Sequence, residues 1–453
     1  MLDEKEKEKN WWKKYMNEDK NILRPFDGYE YFLTISYLFI SDIFPKFSYD
    51  DFILSANINL PNIEIFNYQV KYIENHPFWY KKEFQLIKNL NIFDLTNSEI
   101  YEKDYMKYLL KEHKVEFIEI LDPNDNSLRL PYKIEIIQLE KETQLNFYSL
   151  HAMCDGRTIF NIFDYIRNII DYITKEENKL KLNEKFLPII KSQLCDFGQL
   201  NNYINLDKKY YEKPPEKWDE IPFKNILPEL KIEKGKKNYY YNKHFIFSYP
   251  KIEKFCKENK ISPQSMLTTM ITRSTRKYYN LPNETPIYNY TPCDSRKSNF
   301  ANDYLKKREF FCGAGALFPK TLGNNNLINE IKYNYNSMKE CILNLENISQ
   351  IMRSALTINK DTLKFIPENK MPNFNLQSCT CSSHIGKING KLPCFEIWLN
   401  LPFNCENDYI LAFHAYHNDE YFIINMLKPN GFNEEFLKVI LNEMNIIFNC
   451  EIK

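Results

Sequence analysis

Between residues 145 and 173 the chain switches from one hydrophobic period to another. The six residues at the switch, His151-Ala152-Met153-Cys154-Asp155-Gly156, constrain the fold more than any other stretch. Before them, Leu145-Asn146-Phe147-Tyr148-Ser149-Leu150 roughly alternates apolar and polar side chains, as a half-buried strand does. After them, apolar residues fall at Ile159, Phe160, Ile162, Phe163, Ile166, Ile169, Ile170 and Ile173, the three-and-four spacing of one helix face. The pattern predicts a strand–turn–helix junction. A histidine at the end of a strand projects beyond the sheet, where ligands commonly sit. Asp155 can accept hydrogen bonds from backbone amides or pair with a buried cation. Asp-Gly is also a common turn pair, and Gly156 is expected to take a backbone conformation closed to other residues.

At 453 residues the chain is too long for one ordinary core, and two domains are the natural expectation. With 33 Phe and 32 Tyr it can bury a substantial interior. Ten glycines, with neither a Gly-x-Gly-x-x-Gly nor a Walker loop, argue against a large nucleotide-binding enzyme of the Rossmann type. Lys plus Arg balances Asp plus Glu at 60 each, so no electrostatic footprint for nucleic acid is expected. The charged start Met1–Lys9 does not read as a secretory signal, and the most apolar window, Phe32 to Phe44, is interrupted by Thr34, Ser36, Ser41 and Asp42. Eleven cysteines, an odd number in a large chain without a leader, read as reduced thiols of a cytoplasmic protein. Cys379-Thr380-Cys381 with His384 is the nearest approach to a metal set, but no second Cys/His pair stands at zinc spacing, so no metal is expected.

Further elements follow from period and punctuation. Asp51–Leu60 reads as a strand, Ile63–Glu74 as a helix, and Lys114–Leu121 and Leu130–Leu139 as strands around a turn at Asp122–Asn126. Helical patterns continue to about Leu194. From Asn205 to Lys237, four prolines stand among dense charge, which marks a linker. Tyr239–Ser248 is strand-like. Ser262 caps, and Pro263 opens, a helix running to about Tyr279. Thr285–Tyr290 is a short strand, Phe311–Leu317 is a break before another strand, and Tyr409–Tyr416 with Glu420–Met426 forms a hairpin. Asn433 to about Phe448 is a closing helix. The class is α+β, with 1–204 and 238–453 as two halves of similar size joined through 205–237.

Taken together these features resemble the CoA-dependent acyltransferase superfamily, over most of the chain. That superfamily includes alcohol O-acetyltransferases, BAHD acyltransferases and condensation domains. His151 to Gly156 matches its His-x-x-x-Asp-Gly signature. Arg24-Pro25-Phe26-Asp27-Gly28-Tyr29-Glu30 is similar to an Arg-Pro-Leu-x-x-x-Glu opening, and Asn75-His76-Pro77 to a His-Pro that ends a first long helix. Thr291–Arg296 resembles an Asp-x-Arg segment of the second half, and Ser382-Ser383-His384-Ile385-Gly386 a late Ser-Asn-x-Gly segment. Leu150 stands where condensation domains carry a first histidine, and no Asp-Phe-Gly-Trp-Gly segment is present. Both departures favour the alcohol acetyltransferase-like branch.

The resemblance implies two chloramphenicol-acetyltransferase-like halves, each a mixed sheet flanked by helices, with a tunnel between them. It implies a monomer that takes acyl-CoA as co-substrate, without a cofactor, and a small alcohol or amine as acceptor. Carrier-protein-dependent condensation, or a non-catalytic binding protein of the same fold, are the alternatives. A lipid-like acceptor would bring the protein to a membrane surface without a spanning segment. His151 is implied as general base and Asp155 as a structural partner of Arg296, with Asp294 in support. Ser382, Ser383 or His384 would supply an oxyanion donor or the acceptor mouth. Cys154 reads as a packing residue, and His76, His113, His244, His414 and His417 as surface or structural.

Overall fold

The structure is a computed structural model that describes residues 10–34, 36–84, 86, 90–94, 128, 130–190, 240–297, 313–355, 357–359, 361–364, 366, 379–390, 393–399 and 410–450. The expected strand 114–121, its turn at 122–126 and the linker 205–237 lie outside these residues.

The first half supplies strands β1 (Ser36–Pro45), β2 (Leu90–Asp94), β3 (Tyr132–Gln138) and β4 (Glu142–Leu150). The second supplies β5 (Tyr240–Ser248), β6 (Thr291–Asp294), β7 (Ala314–Leu317), β8 (Cys379–Lys387), β9 (Cys394–Leu399), β10 (Ile410–His417) and β11 (Tyr421–Pro429). A five-stranded sheet has the order β9-β1-β4-β3-β2, antiparallel except between β2 and β3. A four-stranded sheet has the order β8-β10-β11-β5, antiparallel except between β8 and β10. Two mixed sheets, each flanked by helices, agree with the expected α+β class.

Helix α1 (Gly156–Ile173) lays its apolar stripe, Ile159 through Ile173, on the first sheet among Leu38, Ile40, Leu145 and Phe147. On the second sheet, α2 (Pro263–Tyr279) and the last helix bury Met266, Met270, Phe436 and Ile440 against Leu411, Phe413 and Met426. Each such side chain contributes roughly 1.5–3 kcal/mol by leaving water. Ser262 caps α2 through a capping box and Pro263 begins it, where the sequence placed these signals, and Asn280 ends it in the left-handed conformation.

The halves are interlocked. Strand β9 comes from the second half but pairs along β1 of the first sheet, Cys394 opposite Ser41 through Leu399 opposite Ser36. Arg167 on α1 fastens this crossover. It donates to Asp42 at 2.8 Å and to the Asn389 carbonyl at 2.7 Å, while Asn389 donates to Asp164 at 2.9 Å. The opening Arg24–Glu30 segment forms a buried pair, Nη1 to Oε2 at 2.6 Å and Nη2 to Oε1 at 2.7 Å, with Trp79 Nε1 donating to the same carboxylate.

Two expected elements are corrected. Residues 51–59 belong to a helix, Tyr49–Asn59, and Leu60 opens a 3₁₀ turn, because Ser48 caps the helix and Phe52, Ser55, Ala56 and Asn59 bury one helical face. Residues 63–74 are a 3₁₀ turn (Glu64–Asn67) followed by a strand (Tyr68–Ile73) that forms a hairpin with His76–Lys81. Glu74 and Asn75 take φ of 48° and 66°, the left-handed pair of a two-residue hairpin turn. His76-Pro77 therefore starts a strand and does not end a helix. Among the described residues after Ile173, up to 190, the expected helical pattern reduces to a 3₁₀ segment, Glu176–Lys181, and the described part of the expected break, 313–317, contains β7 itself. No helix among the described residues is long and apolar enough to cross a membrane.

Helix α3 (Glu346–Ala355) packs on β7 so closely that a Cβ at Gly315 would fall 2.0 Å from the Asn347 carbonyl oxygen. Gly315→Ala is expected to destabilise the protein by about 1–3 kcal/mol, read by denaturant unfolding, because backbone must move. A variant as stable as wild type would contradict this packing.

Candidate active site

The signature turn is built by its neighbours. Strand β4 ends at Leu150, paired with Tyr37 of β1, and the His151 amide donates to the Ser36 carbonyl at 3.0 Å. The Met153 amide closes the turn on the Leu150 carbonyl. Ala152, Met153 and Cys154 are buried, while His151 stays partly exposed. Asp155 then caps α1, its carboxylate accepting from the Thr158 amide at 2.8 Å.

Asp155 turns away from His151 toward the second half. Arg296 Nη2 donates to both of its oxygens, at 3.0 and 2.9 Å, and the Gly313 amide donates to Oδ2 at 2.8 Å. Arg296 in turn donates through Nη1 to Thr158 Oγ1 at 3.0 Å and through Nε to Asp294 at 2.8 Å. Burial works to raise the Asp155 carboxyl, but Arg296 and the two backbone amides outweigh it and hold the group below its ordinary value. For Arg296, burial opposes the charge and Asp155 and Asp294 overcome that.

The expected reason for glycine at 156 is corrected. Gly156 is the first residue of α1 and is not among the glycines with positive φ. What its missing side chain permits is close approach of the second half: a Cβ there would meet Ile385 at 3.1 Å.

A cavity of about 630 Å³ opens at this contact, lined by Gly156 and Arg157 of the first half and by Asp294, Ser383, His384 and Gly386 of the second. His151 is not part of that wall. It stands at the other end of the turn, close enough to His414 of β10 to bear on that imidazole's charge. Burial lowers the proton affinity of His151, against a hydrogen bond to its own backbone and the attraction of Asp155, so the ring is neutral at pH 7. Burial and His151 push His414 down to about 3. Cys154 is enclosed, 3.0 Å from Ser149 Oγ, and burial drives its thiol far above the ordinary range, as suits a packing residue.

The late serine segment divides between a buried residue and two that line the cavity. Ser382 is fully buried, its hydroxyl held by Gln264 Nε2 at 2.9 Å and Asn289 Nδ2 at 2.6 Å. Ser383 and His384 line the cavity. His384 Nε2 lies 3.0 Å from His417 Nδ1, and His417 stacks on Tyr249.

Three residues of this region escaped the sequence reading as site members. Thr158 shares Arg296 with Asp155 and was visible only as the third residue after the cap. Gly313 contributes a backbone amide, which no side-chain pattern reports. His414 is four per cent exposed, and Ala412 and Tyr416, two residues to either side on the same face of β10, are also buried.

No protein-family model matches the chain, and no curated protein matches it. Solved structures do. The chain is similar to a starter condensation domain of rhizomide synthetase determined in complex with C8-CoA, at 8% identity and TM-score 0.64 over 96% of this chain and 97% of that one. It is similar to the epimerization domain of the third module of tyrocidine synthetase B, at 12% identity and TM-score 0.63 over 91% and 93%. It is also similar to the TRI3 trichothecene 15-O-acetyltransferase of Fusarium sporotrichioides, at 12% identity and TM-score 0.62 over 93% and 94%. The chain therefore has the two-lobed fold shared by condensation domains and acyltransferases.

Replacing Asp155 by Asn leaves Arg296 buried without its counter-charge. Asp155→Asn is expected to lower stability at pH 7 by about 3–5 kcal/mol. Because the folded-state carboxyl is held below its unfolded value of about 3.9, the pair's contribution is full above that pH and fades as pH falls through the folded value. Denaturant unfolding of both proteins should show the gap narrowing in strong acid. Equal stability at pH 7 would contradict the role assigned to the pair.

Proposed function

We propose that the protein is an acyltransferase that moves an acyl group from acyl-CoA to an alcohol hydroxyl, with His151 as general base. One observation carries the reading: a neutral histidine stands at a strand end between the halves, on a turn fixed from behind by a buried carboxylate–guanidinium pair.

In this scheme the ring donates through one nitrogen to the residue's own backbone carbonyl and carries its lone pair on the other. That nitrogen removes the proton of the acceptor hydroxyl as its oxygen forms a bond to the thioester carbonyl carbon. The tetrahedral oxyanion collapses, the carbon–sulfur bond breaks, and the imidazolium returns its proton to the departing thiolate. The products are an ester and free CoA, with no acyl-enzyme. Asp155 does not take part in proton transfer in this scheme; with Arg296 and Asp294 it fixes the turn.

In this scheme the cavity at Gly156, at the opposite end of the turn from His151, would take the body of the donor or the acceptor. Ser383 is the better placed oxyanion donor of the two serines, since the Ser382 hydroxyl is engaged inside the second half. The fold shared with condensation domains supports a second reading, in which the same base serves an amine acceptor or a carrier-bound thioester.

Thiol release from a panel of acyl-CoAs, with mixed alcohol and amine acceptors, tests the assignment. Release is expected to depend on an alcohol acceptor and to fall by ~10²–10⁴-fold in folded His151→Ala. Transfer only to amines, or only from a pantetheine thioester on a carrier, would favour the second reading. Binding of acyl-CoA without transfer to anything would overturn both.

A further inference from the structure

Away from the catalytic turn, three strands converge where the two sheets meet. His244 comes from the edge strand β5, Asn425 from its neighbour β11, and Cys394 and Glu396 from the crossover strand β9. His244 Nε2 lies 3.5 Å from Cys394 Sγ and 3.7 Å from Glu396 Oε1, and the three ligand atoms all lie within 4.8 Å of one another. Atoms bound at ~2.0–2.3 Å to a tetrahedral Zn²⁺ stand about 3.4–3.6 Å apart. The two distances from His244 are thus close to the edges of such a tetrahedron.

A second observation points to the same place. Asn425 is fully buried, its Nδ2 lies 3.1 Å from His244 Nε2, and its Oδ1 has no hydrogen-bond partner among the described residues. An amide's oxygen and nitrogen are told apart only by their hydrogen bonds. Turned about its last torsion, Asn425 presents its oxygen toward His244 as a fourth donor. Trp398 Nε1 donates to Glu396 Oε2, which orients the carboxylate with Oε1 toward His244. His244 is partly exposed, which leaves a route from solvent.

We propose that His244, Cys394, Glu396 and Asn425 form a site for one Zn²⁺ or similarly thiophilic divalent cation, clasping the edge of the second sheet to the crossover strand of the first. Nitrogen, thiolate and oxygen donors are the mixture zinc takes. The role is structural. The site lies in one polar row across the second sheet, His244, Asn425, His414 and Ser383 on four adjacent strands. At about 4.8 Å per strand, His414 is on the order of 10 Å from His244. A cation binds the thiolate of a cysteine and releases its proton, so affinity should rise with pH.

The test uses the full chain, stripped with chelator and titrated with Zn²⁺ against a chromophoric competitor. One equivalent is expected to bind. Cys394→Ser and His244→Ala, each checked for native circular dichroism, should weaken binding by at least about 100-fold. Co²⁺ in place of Zn²⁺ should give a thiolate charge-transfer band that is absent from Cys394→Ser, and Zn²⁺ should raise Tm of the wild type but of neither variant. No stoichiometric uptake by the wild type, or equal uptake by the folded variants, would overturn the site. These readouts are independent of acyl transfer, so they stand or fall apart from the proposed activity.

Discussion

The carboxylate of Asp155 and the guanidinium of Arg296 meet across the boundary between the halves, and the geometry of the His151–Gly156 turn depends on that contact. Removing two charges from water costs several kcal/mol per ion, and attraction alone does not reliably offset it. Here the remaining valences are filled as well: the Thr158 and Gly313 amides complete Asp155, and Thr158 Oγ1 and Asp294 complete Arg296. The result ties the cap of α1, the end of β6 and the start of β7 into one unit. A group that must meet a reacting atom within a fraction of an ångström needs a foundation of this kind.

Other features of the molecule serve the same boundary. Strand β9 crosses into the first sheet, Arg167 fastens the crossing, and Gly156 lets Ile385 approach α1. The halves therefore share strands and side chains and do not merely touch. Burial at the boundary keeps His151 neutral and suppresses the charge of His414 beside it. A neutral imidazole is the form a general base requires. The His244 cluster lies on the same seam, at the far end of the polar row that reaches His414.

The sequence made the central junction legible because it combines two local signals, a change of period and a cap. Helix α2 was legible through Ser262 and Pro263, and the β10–β11 hairpin through its alternation around His417–Asp419. The pairing of Asp155 with Arg296 was reached through resemblance, since 141 residues separate them. Residues 51–60 and 63–74 were misread because short apolar runs carry no decisive period. In the first the capping Ser48 settles the helix, and in the second the two-residue turn at Glu74–Asn75 settles the hairpin. Nothing local announces that β9 leaves its own half, and so nothing local gathers His244, Cys394, Glu396 and Asn425. Gly156 was recognised but for the wrong reason, because close packing by Ile385 is a tertiary fact.

The pH dependence of kcat/KM tests most directly that a neutral, half-buried His151 takes the acceptor's proton, since it reports the ionisation of the free enzyme. The account predicts a rate constant that is level at neutral pH and falls in acid through an apparent pKa below the ordinary histidine value of 6.5. A profile that stays flat through that range, or one whose acid limb lies above 6.5, would contradict it.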